Sequence, residues 1–220
     1  MLANELISEA IPPLKESDSI QKALDRMDEF RVSHLPVLSD DVLLGLISDD
    51  DLIEVTDFEA ILKSVNINYS RVSLQQSQHI YDVIKVFSES HLTLLPVLDE
   101  NRAYLGVINM NTVVDRMASI ASIKEPGGII VLEMDNRNNS LAHIAQIIES
   151  ESTQILSSYI TSHIDSTRTE VTIKVNRTEI SGILASLGRY DYHIIATYND
   201  NKEESGTGDR YDQLMNYLSI

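Results

Sequence analysis

The sequence predicts an α+β chain of three small units in series. Two observations carry that expectation. The tetrapeptide Leu-Pro-Val-Leu occurs at Leu35–Leu38 and again at Leu95–Leu98, and a glycine-led apolar stretch follows each copy, GLISDDDL at Gly45–Leu52 and GVINMNTV at Gly106–Val113. Downstream of Pro126-Gly127-Gly128 the pattern changes to strand, helix, strand, strand, helix, strand. Pro36 to Pro96 is a shift of 60 residues and Gly45 to Gly106 a shift of 61, so the second copy has gained one residue in its turn. One such copy seldom buries its own core, so the two are expected to pack as a pair.

Composition narrows the chemistry. The 220 residues are 43% hydrophobic and 23% charged, within the globular range. There is no Trp and there are three Phe, so the cores must be aliphatic. The absence of Cys excludes disulfides, thiolate metal sites and a cysteine nucleophile. A formal net charge of −17 repels nucleic-acid backbones and anionic membranes. The acidic start MLANELISEA lacks the basic-then-apolar order of a signal peptide. No apolar run approaches the roughly 18 residues of a spanning helix. A soluble, cytoplasmic protein is expected, in which the Asn-x-Ser/Thr matches at Asn68, Asn138 and Asn176 are chance.

In the first copy, residues 1 to about 60, Pro12-Pro13 stops any helix begun at Leu2–Ile7. Ser17 or Ser19 caps a helix whose apolar face is Ile20, Ala23, Leu24, Met27 and Phe30. His34–Leu38 reads as a short buried strand, Ser39-Asp40-Asp41 as a turn, and Val42–Ile47 as a strand buried on both faces. Ser48 then caps a short helix with Asp49, Asp50 and Asp51 in its first turn, where carboxylates suit the helix dipole. Asp51 stands where the acid of a capping box sits. Its carboxylate is equally suited to accept hydrogen bonds from a pair of ligand hydroxyls. Both readings of Ser48 and Asp51 stand at this point.

The second copy, residues about 67 to 122, repeats the plan. Ser77–Ile80 matches Ser17–Ile20, Ile84 and Phe87 match Leu24 and Met27, and Leu94–Leu98 matches His34–Leu38. Asp99–Arg102 is the turn and Tyr104–Ile108 the next strand. An extended segment leads into each copy, Pro13–Lys15 and Arg71–Ser73.

These residues resemble a pair of cystathionine-beta-synthase (CBS) domains, over about residues 1–122. The Leu-Pro-Val-Leu strands and the Gly-apolar-apolar-Ser/Thr-x-x-Asp ends carry the resemblance. It implies a pseudo-symmetric pair that binds the ribose of an adenosine ligand (AMP, ADP, ATP or S-adenosylmethionine) through Ser48 and Asp51. The corresponding residues of the second copy, Asn109 and Thr112, depart from the pattern and are further candidate nucleotide contacts. Backbone before each first helix, Ile11–Leu14 and Val72–Leu74, is the expected adenine contact. Arg31, His34, Arg71, Arg102 and Arg116 are candidate phosphate partners. The resemblance also implies a homodimer.

The third unit, residues 123–198, reads as β-α-β-β-α-β, the ferredoxin-like plan. Its elements are a strand at Ile129–Met134, a helix at Ser140–Ser150 with Leu141, Ile144, Ala145 and Ile148 on one face, and alternating strands at Thr153–Ile164 and Thr169–Val175. A helix follows at Arg177–Leu187, ended by Gly188, and a strand at Tyr192–Thr197. This unit resembles an ACT domain, a small regulatory module, which implies a small effector near its first strand–helix turn. Asn136, Asn138 and Asn139 are the candidate contacts there. A calcium loop at Asp135–Gln146 is rejected, because Arg137 and Gln146 stand where acids are needed. Residues 199–220 read as a polar linker with Gly206 and Gly208, then a tail helix through Tyr211, Leu214, Met215 and Leu218.

No enzyme is expected. The six histidines are dispersed, and there is no HExxH, G-x-S-x-G, P-loop or G-x-G-x-x-G. The reading is a non-catalytic sensor that needs no cofactor and no metal and acts on an unidentified protein partner. It resembles the CBS–ACT regulators of bacterial metabolism, including those of the acetoin-utilisation type. The alternative is a dimerisation or interaction scaffold that binds no nucleotide.

Overall fold

A computed structural model describes residues 1–8, 10–135, 140–162 and 168–199. Asn136, Asn138, Asn139 and the tail of 200–220 lie outside the described residues. The chain divides into two compact units, Met1–Met117 and Ala118–Ile220.

The first unit contains two three-stranded sheets with the same plan. In the first copy β1 (Leu14–Lys15) runs parallel to β2 (His34–Ser39), which pairs antiparallel with β3 (Val42–Ser48). In the second, β4 (Leu74–Gln75) runs parallel to β5 (Leu94–Leu98), which pairs antiparallel with β6 (Tyr104–Asn109). Helix α1 (Ile20–Phe30) is capped by Ser19, whose side chain accepts the Lys22 amide, and it buries Ile20, Ala23 and Met27. Helix α3 (Ile80–Ser90) is capped by His79 and buries Ile80, Val83 and Phe87. The short α2 (Asp49–Ile53) follows β3, and α4 (Met110–Ile120) follows β6. Leu35, Val37, Leu46 and Ile47 share one aliphatic core with Leu95, Val97, Val107 and Ile108.

Each copy is completed in space by the segment that precedes the other. Ser8 donates its amide to the Val107 carbonyl of β6, and Ser70 exchanges two backbone bonds with Leu46 of β3. The 3-10 turn Ala3–Leu6 lies against the start of α3, where the Ala3 amide reaches the Gln78 carbonyl. The 3-10 turn Leu62–Ser64 lies against the start of α1, where the Leu62 amide reaches the Asp18 carbonyl. This crossing explains both repeat glycines. Gly45 and Gly106 have φ of +148° and +146°. A Cβ at Gly45 would stand 2.6 Å from the Ser70 carbonyl oxygen, and one at Gly106 2.6 Å from the Ile7 Cγ2. Only glycine combines that backbone conformation with so close an approach.

The second unit is a four-stranded antiparallel sheet of order β10-β7-β9-β8, from β7 (Gly128–Asp135), β8 (Ile155–Ser162), β9 (Arg168–Val175) and β10 (His193–Asn199). Helices α5 (Leu141–Ser150) and α6 (Ser181–Arg189) complete a β-α-β-β-α-β order and share a core with Ile130, Leu132, Val171 and Ile173.

Several details differ from expectation. Val42 is exposed at the hairpin end of β3 rather than buried on both faces. Helix α5 turns Ile144, Ile147 and Ile148 inward and leaves Leu141 half outside, because Ser140 caps it and Leu141 occupies the first turn. Helix α6 starts at Ser181, four residues later than its apolar spacing indicates, and Gly188 lies within it, with Tyr190 as the C-cap. The short strand β4 begins at Leu74, just beyond the extended segment expected at Arg71–Ser73.

Candidate functional site

The first copy gathers its polar residues where β3 runs into α2. Ser48 is extended (φ −100°, ψ 160°), so its side chain folds back over the first helical turn and its hydroxyl accepts the Asp51 amide at 3.2 Å. Asp51 answers through one oxygen: Oδ2 accepts the Ser48 amide at 3.1 Å and the Ser48 hydroxyl. The capping box expected of these residues is therefore formed. It engages Oδ2 and leaves Oδ1 without a hydrogen bond among the described residues. The structural role and a ligand role thus do not compete for the same atom. A carboxylate fixed in this way can accept hydrogen bonds from vicinal hydroxyls through its remaining lone pairs.

Behind Ser48, in direct register across the hairpin, stands His34. It is half-buried, and its Nδ1 lies 3.1 Å from Thr93 Oγ1 and 3.4 Å from the Thr93 amide. Thr93 Oγ1 in turn accepts the Ser33 amide at 3.2 Å. Both Thr93 groups therefore donate to Nδ1, and the neutral ring carries its proton on Nε2. Burial holds the His34 pKa below its ordinary value, against the pull of Asp49, Asp51 and Asp50. This histidine joins the two copies at the mouth of the first.

The second copy builds the same corner from other residues. Asn109 Oδ1 accepts the Thr112 amide at 2.8 Å, as Ser48 accepts that of Asp51. The amides that open the two helices reach equivalent carbonyls, Asp49 to Ser33 and Met110 to Thr93. No carboxylate stands at Thr112, so this corner lacks the acceptor that Asp51 supplies.

Of the five basic candidates, the structure brings only His34 into register with Ser48. Arg31 is the left-handed C-cap of α1, and Arg102 lies in the β5–β6 turn, at the opposite end of β6 from Asn109. Arg71 and Arg116 are exposed. Sequence reasoning missed Thr93, although the 60-residue shift places it opposite Ser33. The effector candidates Asn136, Asn138 and Asn139 lie outside the described residues. Among the described residues no group of three or more His, Asp or Glu is placed to hold a metal ion, and no helix is long and apolar enough to cross a membrane.

The sequence profile of the CBS domain matches residues 3–57 and 64–119, just over half of the chain. The chain belongs to the CBS-domain family. The two matched stretches are the two copies described above, so Ser48 and Asn109 are equivalent corners of a CBS pair. Among curated proteins, homoserine O-acetyltransferase of Methanocorpusculum labreanum is 24% identical over 115 residues, 51% of this chain and 23% of its own. Inosine-5'-monophosphate dehydrogenase of Methanocaldococcus jannaschii is 19% identical over 150 residues, 68% of this chain and 30% of its own. The chain thus spans less than a third of the length of these relatives. Among solved structures, a CBS domain pair/ACT domain protein from Thermotoga maritima superposes with a TM-score of 0.49 at 18% identity. The superposition covers 54% of this chain and 98% of that one, and it is too loose to carry residue roles across.

Proposed function

We propose that this protein is a non-catalytic regulatory module whose CBS pair binds an adenosine-containing metabolite at the corner of Ser48 and Asp51. One observation carries the reading: the capping box uses a single oxygen of Asp51 and holds the other at the end of β3, where a ribose can present its two hydroxyls. Family membership supports it, because CBS pairs commonly bind adenosine ligands as regulatory modules. AMP, ADP, ATP and S-adenosylmethionine are the ligands to test. The Asn109–Thr112 corner takes no ribose by this chemistry. The likeness to two enzymes reaches at most 30% of their length, so their reactions are not assigned to this chain.

The β-α-β-β-α-β unit serves, in this reading, as an ACT-like module that receives a small effector near Asn136, Asn138 and Asn139, within a cytoplasmic homodimer of the bacterial CBS–ACT kind. A ligand regulates only by binding two states with different affinity, so the adenosine site must alter a property read by a protein partner. The scaffold alternative has its own support, since capping alone accounts for the side-chain hydrogen bonds of Ser48 and Asp51.

Thermal unfolding against the four adenosine ligands separates the two. A ligand at about 100 times its dissociation constant stabilises the native state by roughly 2.7 kcal/mol, enough to raise the midpoint by several degrees. A rise with one of them supports the sensor. No rise with any favours the scaffold. Light scattering tests the dimer: a mass of one 24.7 kDa chain at all concentrations would refute it.

A further inference from the structure

The second unit has a sheet face that its own helices do not cover. Ile130, Leu132, Val171 and Ile173 point to α5 and α6 and are fully buried. The residues that alternate with them point the other way. In an antiparallel sheet with one solvated face, those positions are ordinarily polar. Here Ile129, Val131, Tyr159 and Tyr198 flank the polar Thr172 and Lys174 of β9 in a trough of about 590 Å³. The register slips between Ile194 and Ala196 of β10, and Ile195 and Ala196 both line the trough as a result. Tyr159 and Tyr198 are 60% and 58% exposed, and Ile123, which flanks them, 63%.

We propose that this trough is the docking site of the chain's own segment Tyr211–Ile220, bound as an amphipathic helix. Three observations choose that occupant. Tyr211, Leu214, Met215 and Leu218 recur at i, i+3, i+4 and i+7, with Asp212, Gln213, Asn216 and Tyr217 between them. Ten helical residues are about 15 Å long, and four strands are about 14 Å across, so the two surfaces match in extent. A helix this short does not hold in water without a surface to pack on. The chain also leaves the sheet at the right place. β10 is an edge strand, its Tyr198 already lines the trough, and it ends at Asn199. The connecting residues 200–210 are almost all polar and include Gly206 and Gly208. A random-coil tether of eleven residues has a root-mean-square span of roughly 18 Å, enough to reach the middle of the trough. Tethering then supplies a local concentration in the millimolar range.

Isoleucine methyl resonances test the proposal in the full chain, with substitutions confined to the segment. Leu214→Asp with Leu218→Asp removes the apolar face. Gln213→Asp with Asn216→Asp adds the same charge to the polar face. The methyls of Ile123, Ile129 and Ile195 will shift by more than a linewidth in the first variant and stay in place in the second. Those of Ile144 and Ile173, on the helix side, will stay in place in both and report an intact fold. Trough methyls that do not move in the first variant would overturn the proposal. So would trough methyls that move on simple dilution of the wild type, because a second copy would then be the occupant.

Discussion

The two glycines of the repeat, equivalent in sequence, should differ in what they tolerate. In Gly45→Ala the new Cβ would lie 2.6 Å from the Ser70 carbonyl oxygen and 2.8 Å from the Tyr69 Cβ. Both belong to the linker segment held on β3 by the Leu46–Ser70 pair of backbone bonds, at 2.8 and 2.9 Å. To admit the methyl the linker must withdraw by roughly 0.6 Å, which takes both bonds beyond useful length. The backbone conformation adds about 1–3 kcal/mol of strain, and the weakened pair about 1–3 kcal/mol more. The total is about 2–6 kcal/mol. In Gly106→Ala the backbone strain is the same, but the atom met at 2.6 Å is Ile7 Cγ2, a side-chain methyl that can rotate away, and the Ser8 carbonyl is 3.7 Å off. That substitution should cost only the strain, about 1–3 kcal/mol. Urea unfolding followed by circular dichroism, with exchange of the Leu46 amide to isolate the first unit, measures both. Equal losses, or a larger loss for Gly106→Ala, would refute the account of the crossed linkers.

Other expectations follow from the same geometry. Gly188→Ala, within α6 and with nothing inside 4 Å of the new Cβ, should be stabilising by up to about 1 kcal/mol; thermal unfolding of the second unit decides it. Ser48→Ala removes the cap of α2 and should cost the first unit about 1 kcal/mol, measured as a shift in urea midpoint. Burial depresses the His34 pKa, so the folded state holds fewer protons than the unfolded one. Its contribution is complete above the ordinary value of 6.5 and is lost as pH falls through the window below it. His34→Gln should therefore lose less urea stability than the wild type between neutral pH and pH 5, and an equal loss would exclude His34 as the sensitive group. Burial raises the Asp18 pKa, but the Lys15 amide at 2.9 Å and the Lys22 ammonium at 2.6 Å outweigh it and leave the pKa lowered. That contribution is present above the ordinary 3.8 and is lost as pH falls through the lowered value. Asp18→Asn should accordingly flatten the acid limb of the unfolding curve.

Much of this was legible in the sequence, for identifiable reasons. The two Leu-Pro-Val-Leu strands and Gly45 and Gly106 declare the repeat because one extended backbone geometry recurs at a fixed spacing. Ser48 and Asp51 are readable as a capping box because the motif is local, spanning four residues. What a single strand or helix does not contain was not legible. The crossing of Ser8 and Ser70 onto the opposite copies is a tertiary event. Thr93 reaches His34 across 59 residues of chain, and no local pattern marks that contact. Helix α6 shows the limit of periodicity: Ile180 fits the apolar spacing, yet it sits at the N-cap, outside the helix it was expected to lie in. The absent carboxylate at Thr112 was readable at once, since it is a matter of residue identity.

The measurement that bears most directly on the adenosine site is isothermal titration of AMP, ADP, ATP and S-adenosylmethionine into the wild type, Asp51→Ala and Thr112→Ala. The account predicts saturable binding of at least one ligand to the wild type, at least tenfold weaker binding to Asp51→Ala, and unchanged binding to Thr112→Ala. Binding that survives Asp51→Ala undiminished, or no binding of any of the four to the wild type, would contradict it.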